Sequence, residues 1–167
     1  MNKLKIIRVV LLLAILGTAV MIFLFSAQTA DESRKTSDNL TTSVIHIIDP
    51  QFEKKPKAKQ LSTRRLVSLI IRKLAHFSEF GLLGALLYAF LRLSPRPGTA
   101  SRALLIAIVL AALYACTDEG HQMLVEGRGP SPVDVGIDTL GALTAILITA
   151  GLWRCFSRRG AGRHSLK

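Results

Sequence analysis

Residues 118–141 read DEGHQMLVEGRGPSPVDVGIDTLG and are the most informative segment of the chain. It places ionisable groups between two apolar runs, residues 103–116 before it and residues 133–153 after it. Charged groups are costly at membrane depth and are usually kept there for a function. We therefore interpret the stretch as the corner of a helical hairpin, in which the DEGHQ segment ends one helix and Asp134 and Asp138 begin the next.

Four apolar segments of the chain approach the roughly 20 residues that a membrane-spanning helix needs. They are residues 6–25, 74–93, 103–116 with its polar extension, and 133–153. Half of the 167 residues are hydrophobic, which is a large share for a soluble domain. The sequence therefore predicts an all-α fold, an integral membrane bundle of four transmembrane helices. The third segment is the shortest and leaves room for a tilted or re-entrant helix.

The composition divides the chain into three parts. Residues 1–25 are predicted to be an uncleaved transmembrane anchor, because the apolar run exceeds the 7–15 residues typical of a signal peptide. Residues 26–62 are polar and then basic, and we expect an outer loop in which the apolar island 44–48 forms at most a short interfacial helix. Residues 63–167 are predicted to form a three-helix membrane core with a basic tail. Ser62 or Thr63 is the expected N-cap of its first helix, and Pro95 and Pro97 are expected to end that helix.

The net charge of +11 is unevenly distributed over the predicted topology. The three segments on one side hold half of the 22 basic residues and none of the 11 acidic ones: Lys3, Lys5, Arg8, Arg92, Arg96, Arg102, Arg154, Arg158, Arg159, Arg163 and Lys167. Short basic segments beside spanning helices are typical of cytoplasmic loops. The pattern predicts that both termini are cytoplasmic, and it favours a membrane partner over nucleic acid.

Polar side chains are predicted to meet at the outer ends of the last three helices. Residues three or four positions apart share a helix face, and alternating helix direction brings the three sets to one side of the membrane. Asp134 and Asp138 also share a stripe with the small residues Gly141 and Ala145, so the two acids are expected to point into the bundle. The candidate ligand-binding residues are Lys73, His76, Glu79, Asp118, Glu119, His121, Gln122, Arg128, Asp134 and Asp138.

Several chemistries fit these residues. Carboxylates with His76 or His121 would suit a divalent cation. An enzyme would draw its acid and base from the catalytic candidates, which are His76, Glu79, Asp118 and Glu119. Binding without catalysis would use Arg128 and Lys73 to hold a phosphate or carboxylate.

Two further alternatives remain open. A proton-coupled transporter would need polar groups along a path across the membrane, whereas the charged residues of this sequence are predicted to lie at one end of the helices only. For His76 and Glu79, the alternative to a functional role is a structural one, as a polar pair that holds helices together.

Three motifs, in this order, resemble those of the VanZ-like family of bacterial membrane proteins. They are KLAHFSEFGLLGALL at 73–87, DEGHQ at 118–122 and GRGPSPVDVGIDTLGA at 127–142, preceded by a first helix that ends in Ser26-Ala27-Gln28. The resemblance implies a small helical protein of the bacterial cytoplasmic membrane. The founding member is associated with teicoplanin resistance, so the resemblance also implies a role in the cell envelope. The partner whose phosphate or carboxylate Arg128 and Lys73 would hold is then an envelope lipid, a peptidoglycan precursor or a glycopeptide. The resemblance implies neither a reaction nor an oligomeric state.

Overall fold

The computed structural model describes residues 3–94, 99–129 and 131–164, with side chains described as far as residue 157. Pro95, Arg96, Pro97, Pro130 and Lys167, on which parts of the sequence interpretation rest, lie outside these residues. Within the described ranges every regular element is helical. In chain order they are α1 (Lys3–Ser26), α2 (Ala30–Ile48), a short 3-10 turn (Phe52–Lys54), α3 (Lys57–Arg92), α4 (Ala100–Gln122) and α5 (Pro132–His164).

Four of the helices, α1, α3, α4 and α5, are long and apolar enough to cross a membrane. The predicted four-span, all-α architecture is therefore confirmed. The third span is longer than its apolar run indicated, because α4 continues through the DEGHQ segment and reaches 23 residues. At 1.5 Å per residue this is about 35 Å, enough to cross a hydrocarbon core of about 30 Å.

Helices α3 and α5 approach each other closely through small residues. A Cβ atom added at Gly84 would lie 2.9 Å from the Cα atom of Ala142, and one added at Gly141 would overlap the carbonyl group of Phe77. Glycines at such positions let two helix backbones come together, which is a main source of helix association in lipid. The predicted stripe of small residues on α5 thus does face a neighbouring helix.

The two ends of the bundle differ in what they bury. At one end, called here the apolar end, a buried cluster joins α3, α4 and α5 through Tyr88, Ala103, Ala107, Ile146 and Ala150. At the other, called the pocket end, α1 and α4 terminate and α5 begins. Helix α1 is attached between these ends, where Ile22 packs with residues of α3 and α4 and the Tyr114 hydroxyl donates a 2.6 Å hydrogen bond to the Ala19 carbonyl.

The segment 26–62, predicted to be an outer loop with at most a short helix at 44–48, contains the longer helix α2, which occupies 19 of these residues. Its N-terminus has a capping box in which Thr29 and Glu32 bond each other's backbone N–H groups. Its buried side chains are Ser33, Ser37, Thr41 and Ile45, a stripe at intervals of four. Only one of them is strongly apolar, so the stripe that α2 buries is made mainly of small polar side chains.

Helix α2 packs on the N-terminal part of α3, which begins at Lys57 rather than after Ser62 or Thr63. The Ser37 and Ser68 hydroxyls lie 3.3 Å apart, and Arg64 donates a 3.1 Å hydrogen bond to Thr42. With 36 residues α3 is about 54 Å long, well beyond the thickness of a hydrocarbon core. Its first turns therefore extend past the pocket end and form a helical hairpin with α2.

Candidate functional site

A cavity of about 660 Å³ lies at the pocket end, between the α2–α3 hairpin, α5 and the corner that joins α4 to α5. Seven of the ten predicted ligand-binding residues line it: Lys73, His76, Glu79, Gln122, Arg128, Asp134 and Asp138. The alternating helix directions therefore do bring the polar sets together, as expected from the sequence. A ligand-binding role for these residues remains a prediction.

Cationic side chains surround the upper part of the cavity. Lys73 forms an ion pair with Asp134, so α3 and α5 are joined there by opposite charges. Arg72 and Arg128 also line the cavity, but neither guanidinium donates a hydrogen bond to any residue that the structure describes, and the Nε atoms of both are buried. Burial lowers the pKa of the Arg128 guanidinium, and the nearby charge of Arg72 lowers it further. Two guanidinium groups thus line one cavity without hydrogen-bond partners among the described residues.

Acidic and imidazole side chains form the floor. The Nδ1 atom of His76 lies 3.8 Å from the Oδ2 atom of Asp138, whose side chain is only 5% exposed. His76, Asp118 and Asp138 each bring one potential ligand atom to within 4.8 Å of those of the other two. These residues come from α3, α4 and α5, so the floor is assembled only when the three helices pack.

Asp118 lies beneath the cavity surface and is held by two hydrogen bonds to one carboxylate oxygen. Its Oδ2 atom accepts from the Ser26 hydroxyl at 2.8 Å and from the Gln122 amide at 2.9 Å. The same amide also lies 3.2 Å from the Ser26 oxygen. Asp118 and Gln122 therefore share a helix face, as predicted, and Ser26 at the end of α1 is hydrogen-bonded to both. The other oxygen, Oδ1, is buried and has no hydrogen-bond partner among the described residues.

Glu119 and His121 lie outside the lining of the cavity. The carboxylate of Glu119 accepts a hydrogen bond from the backbone N–H of Ser131, immediately before α5 begins. The ring of His121 stacks on Phe23 of α1, with the ring centroids 4.5 Å apart. Both side chains thus join neighbouring elements, and the geometry gives them a positioning role at the corner.

The corner itself depends on a glycine. Gly127 has a φ of 74°, which a residue with a Cβ atom rarely adopts, and an added Cβ would lie 3.1 Å from that of Ala30. The neighbouring carbonyl of Glu126 accepts a 3.3 Å hydrogen bond from the Ala30 N–H. These contacts fix the start of α2 against the corner and close one side of the cavity.

Sequence reasoning missed several contributors to the cavity. Arg72 precedes His76 by four positions, a spacing that places both on one helix face and was a usable signal. The sequence Thr29-Ala-Asp-Glu32 matches the capping-box pattern and could have located the start of α2. The contribution of Ser33, Ser37 and Leu40 of α2 to the lining had no such signal, because it depends on how α2 folds back over α3.

The family model of VanZ/LLP1 matches residues 9–154 of the chain. This range contains most of α1 and of α5 and the whole of α2, α3 and α4, together with every candidate site residue. No curated protein and no solved structure matches the chain.

Proposed function

Because the chain belongs to the VanZ/LLP1 family and has four helices able to span a membrane, we propose that it is a bacterial membrane protein that binds an envelope component. The ligand would be the anionic headgroup of an envelope lipid or lipid-linked peptidoglycan precursor. The carrying observation is that Arg72 and Arg128 direct unpartnered guanidinium groups into one cavity.

The charge of the cavity rim supports an anionic ligand. Guanidinium groups bind phosphates and carboxylates through paired hydrogen bonds, which are stronger than bonds between neutral groups. Lys73 is paired with Asp134 and Arg34 with Asp31, so Arg72 and Arg128 are the lysine and arginine side chains of the lining that form no ion pair among the described residues. Two like charges that are partly buried and near each other are stabilised when an anion lies between them.

The size and lining of the cavity support a lipid headgroup. Its volume of about 660 Å³ lies within the usual range for small-molecule sites. Phe25, Leu40 and Leu69 add apolar surface to the same cavity, which suits the junction between a headgroup and its chain. A whole glycopeptide antibiotic is too large for this volume. Glycopeptide resistance, where a member of the family confers it, would then follow from binding of the precursor lipid.

The distribution of basic residues supports placement of the cavity at the outer face of the cytoplasmic membrane. The apolar end carries the purely basic segments that are typical of cytoplasmic loops, so both termini would be inside. The buried cluster at that end is apolar within the described residues. This arrangement favours binding at one face over proton-coupled transport, which needs a polar path across the membrane.

The proposal is tested by titrating the purified protein in detergent with undecaprenyl phosphate and, separately, with undecaprenol, which has the same chain without the anion. Native mass spectrometry would measure the bound fraction. We expect binding of the phosphate only, weakened by roughly tenfold or more in Arg72→Gln and in Arg128→Gln, since a charge-assisted hydrogen bond contributes about 1.5–3 kcal/mol. Arg65→Gln, an exposed arginine on the same helix, is the matched control and should bind normally.

Equal binding of the alcohol and the phosphate would contradict the proposal, as would equal loss in the Arg65→Gln control. A second test measures the teicoplanin susceptibility of a sensitive bacterial host that expresses the protein or its Arg128→Gln variant at matched membrane abundance. Protection that disappears in the variant would connect the cavity to glycopeptide action.

A further inference from the structure

The floor of the cavity brings together three side chains of the types that bind metal ions. His76, Asp118 and Asp138 offer one imidazole nitrogen and two carboxylate oxygens, mutually within 4.8 Å. Each comes from a different helix, so no local sequence motif links them. His76 and Asp138 line the cavity, and Asp118 lies directly beneath its surface.

The two carboxylates are buried and incompletely bonded. Asp118 and Asp138 are each only 4% exposed, and the Oδ1 atom of each is buried without a hydrogen-bond partner in the described part of the chain. Asp138 accepts no side-chain hydrogen bond at either oxygen from those residues. An isolated carboxylate is costly to bury, so buried charges are normally paired or bound to metal.

The lysine and arginine side chains of the cavity do not pair directly with these two carboxylates in the described part of the chain. Lys73 is paired with Asp134, nearer the rim. Neither Arg72 nor Arg128 forms an ion pair with Asp118 or Asp138 within 4.0 Å among the described residues. His76 can also carry a positive charge, but its Nδ1 atom lies 3.8 Å from the Oδ2 atom of Asp138, which is beyond hydrogen-bond distance. The floor therefore has two acids whose charges need a partner.

The geometry points to a divalent transition-metal site formed by His76, Asp118 and Asp138. One imidazole and two carboxylates suit a borderline ion such as Zn²⁺ or Mn²⁺. Ligand atoms bonded at about 2.1 Å in a tetrahedron lie roughly 3.4 Å apart, so the three side chains must draw together by about an ångström. Side-chain rotation is sufficient for a movement of this size.

The surroundings of Asp118 have the form of a second coordination shell. Ser26 and Gln122 both bond its Oδ2 atom, which fixes the carboxylate and leaves Oδ1 free for an ion. Towards the cavity, Glu79 carries a further buried oxygen without a partner, Oε2. An ion on the floor would add positive charge beneath the guanidinium groups of the rim. This inference goes beyond anion binding and does not depend on it.

The test uses the full-length protein in detergent, treated with EDTA and then dialysed free of chelator. Isothermal titration with ZnCl₂, supported by elemental analysis, should show about one Zn²⁺ per chain, and bound Zn²⁺ should raise the unfolding temperature because it binds the folded state. Asp138→Asn and His76→Gln should each weaken Zn²⁺ binding at least tenfold, since loss of even a second-shell partner costs 10–100-fold. His46→Gln and Asp49→Asn, which change the same residue types outside the cavity, are the matched controls.

A spectroscopic measurement keeps the test decisive if a variant folds poorly. Co²⁺ substituted into the unaltered protein should give visible absorption bands of a nitrogen- and oxygen-ligated ion, displaced by Zn²⁺. Substoichiometric Zn²⁺ binding by the unaltered protein, or stoichiometric binding that is unchanged in Asp138→Asn and His76→Gln, would overturn the inference. Undecaprenyl phosphate binding measured on the same samples separates the two proposals, because either can fail while the other holds.

Discussion

The pocket end and the apolar end of this bundle bury opposite kinds of side chain. At the apolar end, Tyr88, Ala107 and Ile146 are at most 2% exposed and pack against one another. At the pocket end, Asp118 and Asp138 are buried almost as completely, yet each has a carboxylate oxygen without a hydrogen-bond partner among the described residues. Close packing therefore stabilises the bundle, and the buried acids of the pocket end add little stability or reduce it. The following three substitutions test that division, from the largest expected effect on stability to the smallest.

Gly141→Ala is expected to destabilise the bundle most, because the new Cβ would overlap the Phe77 carbonyl and force α3 and α5 apart. Overpacking of this kind costs roughly 1–3 kcal/mol. Unfolding in mixed detergent and SDS micelles, followed by circular dichroism, would measure the loss. Gly136→Ala on the same helix is the control, since the described residues place no packing atom within 4 Å of an added Cβ there. Equal stability of the two variants would contradict the close α3–α5 contact.

Asp138→Asn is expected to have the opposite sign. In buffer containing EDTA, replacing a buried and unpartnered carboxylate by an amide of the same shape should raise the free energy of unfolding by about 1 kcal/mol. The same detergent unfolding experiment applies, with Asp38→Asn as an exposed control that should leave stability unchanged. A loss as large as that caused by Gly141→Ala would show that the acid holds the helices together, contrary to the division between the two ends.

Thr29→Ala is expected to have the smallest effect, confined to α2. Loss of an N-cap side chain costs about 0.5–1 kcal/mol, so amide hydrogen exchange in the first turns of α2 should become a few-fold faster while exchange in α5 does not change. Thr36→Ala, also on α2 but past its first turn, is the comparison variant. Faster exchange throughout the bundle would mean that α2 stabilises the whole bundle and does not only cover the cavity.

The same capping box predicts a dependence on pH. The Thr29 backbone N–H and the Thr29 hydroxyl both donate hydrogen bonds to the Glu32 carboxylate. Both bonds lower the pKa of Glu32, and the bond from the backbone N–H has the larger effect. The stabilisation is therefore present above the unfolded pKa of Glu32 and is lost as the pH falls through its lower, folded value. Protection of the first turn of α2 from exchange, taken relative to the intrinsic exchange rate at each pH, should fall in that acidic range. This fall should be smaller in Thr29→Ala, which keeps the backbone N–H bond, and absent in Glu32→Gln, which cannot ionise.

The spans and the pocket end were predictable because each rests on a local pattern. Apolar runs of sufficient length indicate spanning helices in any tertiary context, since a bilayer requires backbone hydrogen bonds to be satisfied within the segment. Helix periodicity then placed Asp134, Asp138 and Gly141 on one face, and the structure confirms that this face meets α3. Alternation of direction brought the polar ends of α3, α4 and α5 together without further information.

The role of α2 was not predictable from the same reasoning. Its buried positions are mainly serines and a threonine, which have low helix propensity and do not mark the buried face as apolar. They are buried because small side chains allow α2 to lie close to the N-terminal part of α3, and that proximity exists only in the folded protein. The start of α3 was placed too late for a related reason, since its first turns are polar and are ordered beside α2.

An all-helical membrane bundle with four spans, its family and the end at which ionisable residues gather all follow from local patterns in the amino-acid sequence. Which of those residues share a cavity depends on how the helices pack. This packing brought His76, Asp118 and Asp138 from three helices to within 4.8 Å, and it turned Glu119 and His121 towards structural contacts instead. The physical reason is that helix periodicity fixes the direction of a side chain relative to its own axis, whereas a site depends on the rotation and depth of each helix against the others.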